Sequence, residues 1–193
     1  MLDDNRIVKF LESQKGKWHK WNVPFADGES LYNLAMEHNA KNILEIGTSY
    51  GHSTIWLARA AAKNGGQVLT IEIDHRVMED ARRNFKIAGV LPYILQCQTD
   101  AKRFIPYIKG SFDMVFSDGD RSSYIQIFEM IEPLLSPNGI IATHNVAANG
   151  GPKISEYLNF LENHPRFSTH FIHSSPEGIA VSQPNKQAGK PII

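Results

Sequence analysis

The sequence predicts an open α/β fold: a seven-stranded, mostly parallel sheet with helices on both faces and an antiparallel pair of strands at the C-terminus. Three observations carry this expectation. Between Asn42 and Asn145, five short β-branched runs alternate with longer stretches of helical periodicity. Those runs are apolar on both faces, as strands buried between two helical layers must be. After Gly150 the alternation gives way to one helix and two closely spaced runs joined by SPEG, a connection short enough for a hairpin at the sheet edge.

Each element follows in order. NILEIG (42–47) is the first strand, and the helix after it, HSTIWLARAAAKN, is closed by Gly65 and Gly66. QVLTIEID (67–74) is the second; Val77, Ala81, Phe85 and Ala88 then recur at helical spacing, and Gly89 ends that helix. YILQCQ (93–98) is the third, followed by a short helix over 101–108 that Pro106 distorts. FDMVFSD (112–118) is the fourth, and its helix YIQIFEMIEPLL stops at the turn SPNG (136–139). IIATHN (140–145) is the fifth. The helix ISEYLNFLENH (154–164) leads to the hairpin FSTHFIHS and GIAVSQ, where His170 and His173 read as exposed or edge residues. Residues 1–40 read as helical, with Trp18 and Trp21 near the loop NVPFADG, either as a lid over an acceptor or as an anchor for the first helix. The tail QPNKQAGKPII reads as loosely held.

The 193 residues suit one domain, organised as an N-terminal helical cap (1–40), a core (41–150) and a C-terminal helix and hairpin (151–185). Lys+Arg and Asp+Glu balance at 20 each, so nothing global selects a polyanion, and a nucleic-acid partner is not expected. The single cysteine, Cys97, excludes an intramolecular disulfide and a multi-cysteine zinc site, and its place in a core strand makes it an apolar filler. The N-terminus MLDDNRIVKF lacks the apolar run of a secretory signal, and no window reaches the roughly 18 apolar residues of a membrane span. A cytoplasmic protein without membrane contact is expected.

In such a sheet, ligands bind at the carboxyl ends of the strands. There LEIGTSYGHST places Gly47 and Gly51 around a strand-to-helix turn, with G-x-x-x-G spacing in place of the dinucleotide pattern G-x-G-x-x-G. Nicotinamide-dependent oxidoreduction is correspondingly disfavoured. Glu45, a carboxylate inside an apolar strand, needs hydrogen-bond donors, from its own loop or from a cationic ligand. Glu72 ends the second strand about 25 residues after Gly47, where an acid typically accepts the two hydroxyls of a ribose. Asp100 and Asp118 follow the third and fourth strands, although an aspartate there also serves as a helix N-cap. His144 and Asn145 end the fifth.

Together, ILEIGTSYGHSTIWLA, TIEID and FDMVFSDGD resemble the class I S-adenosylmethionine-dependent O-methyltransferases, in particular the small bacterial ones related to catechol and caffeoyl-CoA O-methyltransferases. The resemblance spans residues 25–182 and implies a Rossmann-like fold, S-adenosylmethionine as cofactor, a small hydroxylated aromatic acceptor and a homodimer. It further implies that Glu45, Gly47, Ser49, Gly51, His52 and Ser53 line the methionine and ribose part of the cofactor. Glu72 would hold the ribose, and Asp100, Ala101 and Asp120 would lie near the adenine, with Asp118 also among the cofactor-binding residues.

Metal-dependent members of that family hold a divalent cation, magnesium or manganese, with an aspartate after the fourth strand and an Asp-Asn pair after the fifth. Asp118 and Asn145 match, whereas His144 stands where the second aspartate is expected. Neutral imidazole in place of carboxylate disfavours magnesium and tolerates manganese, iron, cobalt or zinc. Arg121 stands where the family often carries a lysine proposed as base; a guanidinium cannot take that role, although it can stabilise a phenolate. Three readings of His144 therefore stay open: metal ligand, metal-free general base, or a strand-end histidine bonded to a loop carbonyl. Two rival functions accompany them, methylation of a modified tRNA base and a non-catalytic S-adenosylmethionine-binding module.

Overall fold

The computed structural model describes residues 2–17, 22–147 and 150–185, so Trp18, Trp21 and most of the C-terminal tail lie outside the described residues. Seven strands form one sheet: β1 (Asn42–Ile46), β2 (Gln67–Glu72), β3 (Ile94–Gln98), β4 (Phe112–Ser117), β5 (Leu135–His144), β6 (Phe167–Ile172) and β7 (Ile179–Pro184). Their order is β3-β2-β1-β4-β5-β7-β6. Strands β1 to β5 pair in parallel, and β7 runs antiparallel to both β5 and β6. The order reverses between β1 and β4, which opens a crevice at their carboxyl ends.

The expected strands run one or two residues past the observed ones at Gly47, Asp74, Asp118 and Asn145, all of which stand in the loops at that edge. The hairpin lies at the sheet edge as expected, with its second strand, β7, beside β5 and β6 outermost. Burial explains the choice: Ile179, Ala180 and Val181 are at most 1% exposed, while β6 is buried only at Phe167 and so suits the edge. The turn expected at 136–139 is instead an irregularity within β5. Phe112 pairs with Leu135 and Met114 with Ile140, so the intervening residues bulge from the ladder.

Among the described residues, seven α-helices flank the sheet: α1 (Asp4–Gln14), α2 (Phe25–Glu37), α3 (His52–Lys63), α4 (His75–Ala88), α5 (Ala101–Phe104), α6 (Tyr124–Ile131) and α7 (Pro152–Glu162). Successive strand residues point to opposite faces. Ile43 and Met114 therefore join α1 to α4 in one core, with Leu11, Leu31, Leu57 and Phe85, while Leu44 and Val115 join α6 and α7 in the other, with Phe128 and Tyr157. Arg6 of α1 donates to the carbonyls of Lys86 and Ile87 at 2.8 Å each, capping the end of α4 with a cation. None of the helices among the described residues is long and apolar enough to cross a membrane.

The turn from β1 into α3 depends on Gly51, whose φ of 88° caps α3 in the left-handed region and whose missing side chain leaves room for Phe85 of α4. A Cβ there would stand 2.3 Å from the Phe85 ring. Gly51→Ala combines backbone strain with overpacking, and should lower stability by about 2–4 kcal/mol in urea titration.

Candidate active site at the carboxyl edge

The first loop begins with a close backbone contact. Gly47 has φ 95°, and a Cβ there would lie 2.5 Å from the carbonyl oxygen of Asp118, so the ends of β1 and β4 approach main chain to main chain. The Gly47 amide donates to Ile71 O at 3.0 Å, and the Asp118 amide to Ile46 O at 2.9 Å. Two residues on, Ser49 at φ 48° turns its amide toward Glu72 and donates to Oε2 at 2.9 Å. Glu72 Oε1 accepts from the amides of Ile73 (2.8 Å) and Asp74 (3.0 Å), so both carboxylate oxygens are fixed.

A cavity of about 450 Å³ opens over this arrangement. Of the residues expected to hold a cofactor, Gly47, Ser49, Glu72, Asp100, Ala101, Asp118 and Asp120 border it. Asp100 also caps α5, accepting from the Lys102 amide at 2.8 Å. The Ser49 hydroxyl is buried and has no hydrogen-bond partner, so it is a donor left over for a ligand. Ile73 borders the same cavity and is 66% exposed; the sequence did not single it out, although an apolar residue directly after the strand-ending acid was the available signal.

Glu45, Gly51, His52 and Ser53, also expected to line the cofactor, do not border that cavity. Glu45 points to the same face as Ile43, toward α3, and is fully buried. It accepts from Ser53 Oγ and Thr70 Oγ1 at 2.6 Å each and from Thr54 Oγ1, so it clamps the start of α3 to β1 and β2. Burial pushes its pKa up to about 7 despite the three hydroxyls. His52 donates from Nδ1 to Val23 O at 2.8 Å and accepts at Nε2 from Trp56 Nε1 at 3.2 Å. Burial lowers its pKa to about 4, which keeps this ring neutral as a structural link between α3 and the segment before α2.

A second cavity, about 610 Å³, shares Asp118, Gly119 and Asp120 with the first and reaches Arg121, His144 and Asn145. His144 is 2% exposed and stands between two carboxylates. Nε2 donates to Asp27 Oδ2 at 2.7 Å. Nδ1 lies 3.3 Å from Asp118 Oδ2, off the line of a hydrogen bond, and is buried without a partner. Burial alone would lower the pKa of this ring, but Asp118 and Asp27 outweigh it and raise the value to about 9. The carbonyl-bonded reading of the ring is therefore replaced by a carboxylate-bonded one.

Asp27, in the first turn of α2, was not foreseen. It is fully buried and also accepts from the hydroxyls of Ser174 and Ser175, the latter at 2.6 Å. Burial would raise its pKa, yet His144 and the two serines hold it below the ordinary carboxylate value. An acid four and seven residues before Leu31 and Leu34, on the buried face of its helix, was the signal in the sequence. Asn145, at φ 59°, completes the cluster: Nδ2 donates to Asp118 Oδ1 at 2.7 Å, and Oδ1 accepts from Arg121 Nη2 at 3.2 Å. Among the described residues no group of three or more His, Cys, Asp or Glu is placed to hold a metal, so any cation here would draw on Asn145 besides Asp118 and His144.

The open α/β sheet, with a switch-point crevice that carries an acid at the end of its second strand beside a second, polar cavity, is a Rossmann-like architecture. The chain belongs to the methyltransferase domain family, whose model matches residues 44–146. It is 37% identical over 127 residues to a catechol O-methyltransferase of Niastella koreensis, covering 64% of this chain and 57% of that protein. A catechol O-methyltransferase of Mycobacterium tuberculosis is 36% identical over 130 residues, covering 67% and 59%. The chain thus spans less than two thirds of the length of these curated relatives. Among solved structures, cofactor-bound Rv0187 from MTB superposes with a TM-score of 0.81 at 27% identity, covering 94% of this chain and 90% of that one. The O-methyltransferase from Bacillus cereus in complex with SAH gives 0.80 at 26%, covering 95% and 92%.

His52 and Glu45 make opposite contributions to stability as pH changes. Unfolded His52 takes its proton near the ordinary 6.5 but folded His52 only near 4, so its contribution is complete above 6.5 and is lost as pH falls toward 4. Folded Glu45 keeps its proton up to about 7 and unfolded Glu45 releases it near 4.5, so its contribution is complete below 4.5 and is lost as pH rises through 7. Each amounts to about 3 kcal/mol at full extent. In urea titrations between these limits, the stability of wild type relative to His52→Gln should rise with pH, and relative to Glu45→Gln it should fall.

Proposed function

We propose that the protein transfers the methyl group of S-adenosylmethionine to a hydroxyl oxygen of a small, hydroxylated aromatic acceptor. The observation that carries this reading is the wall formed by Asp118, Gly119 and Asp120, which borders an acid-lined nucleoside cavity on one side and the His144 cavity on the other. Reactants placed in the two cavities would meet at Asp118. Membership of the methyltransferase family supports the reading, as does the similarity to relatives named for catechol methylation.

The residues present fit the cofactor. A sulfonium nucleoside has no phosphate, so it needs acceptors rather than an anion cradle, and Glu72, Asp100, Asp118 and Asp120 supply them. Glu72 would accept the ribose hydroxyls on oxygens already oriented by the loop amides. The partnerless Ser49 hydroxyl would serve the ribose or methionine end, and Ile73 would cover one face of the adenine. The negative charge of Asp118 suits a neighbouring sulfonium.

Methyl transfer by direct displacement requires the acceptor oxygen, the methyl carbon and the sulfur in line, so orientation and loss of the hydroxyl proton are the main demands on the protein. Asp27 fixes the plane and Nε2–H of His144, and with it the direction of Nδ1 toward Asp118. The guanidinium of Arg121, beside Asn145, favours a developing acceptor oxyanion. Asp118 and Asn145, with Nδ1 of His144 once its proton is displaced, would hold a divalent ion with one nitrogen donor, a set that manganese, iron, cobalt or zinc would tolerate better than magnesium. When bound, such an ion would supply positioning of adjacent acceptor oxygens and a lowered hydroxyl pKa.

Glu72→Ala should weaken S-adenosylmethionine binding by at least about tenfold in calorimetry, as expected for lost hydrogen bonds to a charged group. Asp27→Asn should lower kcat for a catechol acceptor by about 10–100-fold, the usual cost of losing such an orienting partner, with cofactor affinity little changed. Unaltered turnover in that variant would remove His144 from the reaction. Chelation should abolish activity and added manganese restore it; full activity in EDTA would assign activation to the side chains alone.

A further inference from the structure

The second cavity does not end at His144. It continues outward into a third, about 280 Å³, and the two share Arg121, Asn145 and Glu177. Glu177 is the acid on this route whose role is not accounted for by the reaction proposed above. Its backbone is held at both ends: its amide donates to Ser175 Oγ at 3.2 Å, and its carbonyl accepts from the Ala147 amide at 2.9 Å. Ser175 in turn donates to Asp27, so the position of Glu177 is tied to that of His144. Its Oε2 is buried and has no hydrogen-bond partner.

The other charged groups along this wall are already engaged. Asp120 accepts from the Ser122 amide and the Ser123 hydroxyl at 3.1 Å each, and Asp118 accepts from Asn145. Arg121 is exposed and donates to Asn145, so solvent and that amide screen its pull on an anionic ligand. A desolvated carboxylate oxygen without a donor is the strongest unmet demand on the acceptor side, and what satisfies it best is a cation bearing N–H groups.

Building on the proposed methyl transfer, we infer that Glu177 selects acceptors that carry a protonated amine on the side of the ring away from the reacting hydroxyl. With the hydroxyl at Asp118 and His144, the tail of a ring-sized acceptor extends along the route toward the third cavity, and the ammonium meets Oε2 of Glu177. Glu177 is thus a specificity residue and takes no part in bond making.

The test compares dopamine with dihydroxyphenylacetate, catechols whose tails differ in charge, using wild type and Glu177→Gln. Turnover is followed by S-adenosylhomocysteine release, and equilibrium binding by calorimetry with S-adenosylhomocysteine present. Wild type should favour the amine by at least about tenfold in both kcat/KM and affinity, and Glu177→Gln should bring the ratio to within about threefold of unity, mainly through KM. Equal or reversed preference in wild type, or a preference that survives Glu177→Gln, would overturn the inference, even with both catechols methylated. Preferential binding of the amine that disappears in the variant, without turnover of either catechol, would uphold the inference and defeat the methyl-transfer reading.

Discussion

The placement of a buried imidazole between two carboxylates is the constraint from which the rest of the acceptor side follows. His144 ends β5, Asp118 follows the neighbouring β4, and Asp27 comes from α2, so the cluster ties the paired ends of two strands to a helix outside the sheet. Removing His144 would leave the fully buried Asp27 and the nearby Asp118 without their shared cation, and that asymmetry makes the cluster costly to break even when its net contribution to stability is small. The two serines before β7 extend the same cluster to the C-terminal hairpin through Asp27. Sheet end, first helices and last loop thus share one electrostatic centre.

Beside it, the cofactor side is organised mainly by the backbone. The close approach of Gly47 to the Asp118 carbonyl, and the amides that hold Glu72, define the cavity before any ligand is considered. Such a surface is preorganised: its acceptors already point inward, and little ordering remains to be done on binding. Glu45 and His52 stabilise this loop from behind. Their proton affinities are shifted in opposite directions, so between pH 4.5 and 6.5 the dependence of stability on one offsets much of the dependence on the other.

Much of this was legible in the sequence. The five parallel strands were visible because their apolar runs and intervening helical periods are local patterns, and the edge residues followed from where those runs stopped. Asp118, Glu72 and Asn145 were found in that way. Glu45 was recognised as unusual, yet its direction depends on which helix covers which face; Ser53, Thr54 and Thr70, the hydroxyls that satisfy it, look like ordinary helix-start and strand residues when read singly. Asp27 escaped notice because its partner is 117 residues away, and no local period encodes such a pairing. The insertion of β7 beside β5 was hidden for a related reason: a hairpin signature specifies that two strands pair with each other but not which of them faces the sheet.

The two halves of the site are coupled through a single short segment. Asp118, Gly119 and Asp120 border both cavities, the Asp118 amide is bonded to Ile46, and Asp120 is held by Ser122 and Ser123. A displacement of this segment would therefore move the walls of the nucleoside and acceptor cavities together. For a reaction whose rate depends on alignment of three atoms, a common wall with fixed ends is a stricter control than side chains contributed separately to each pocket.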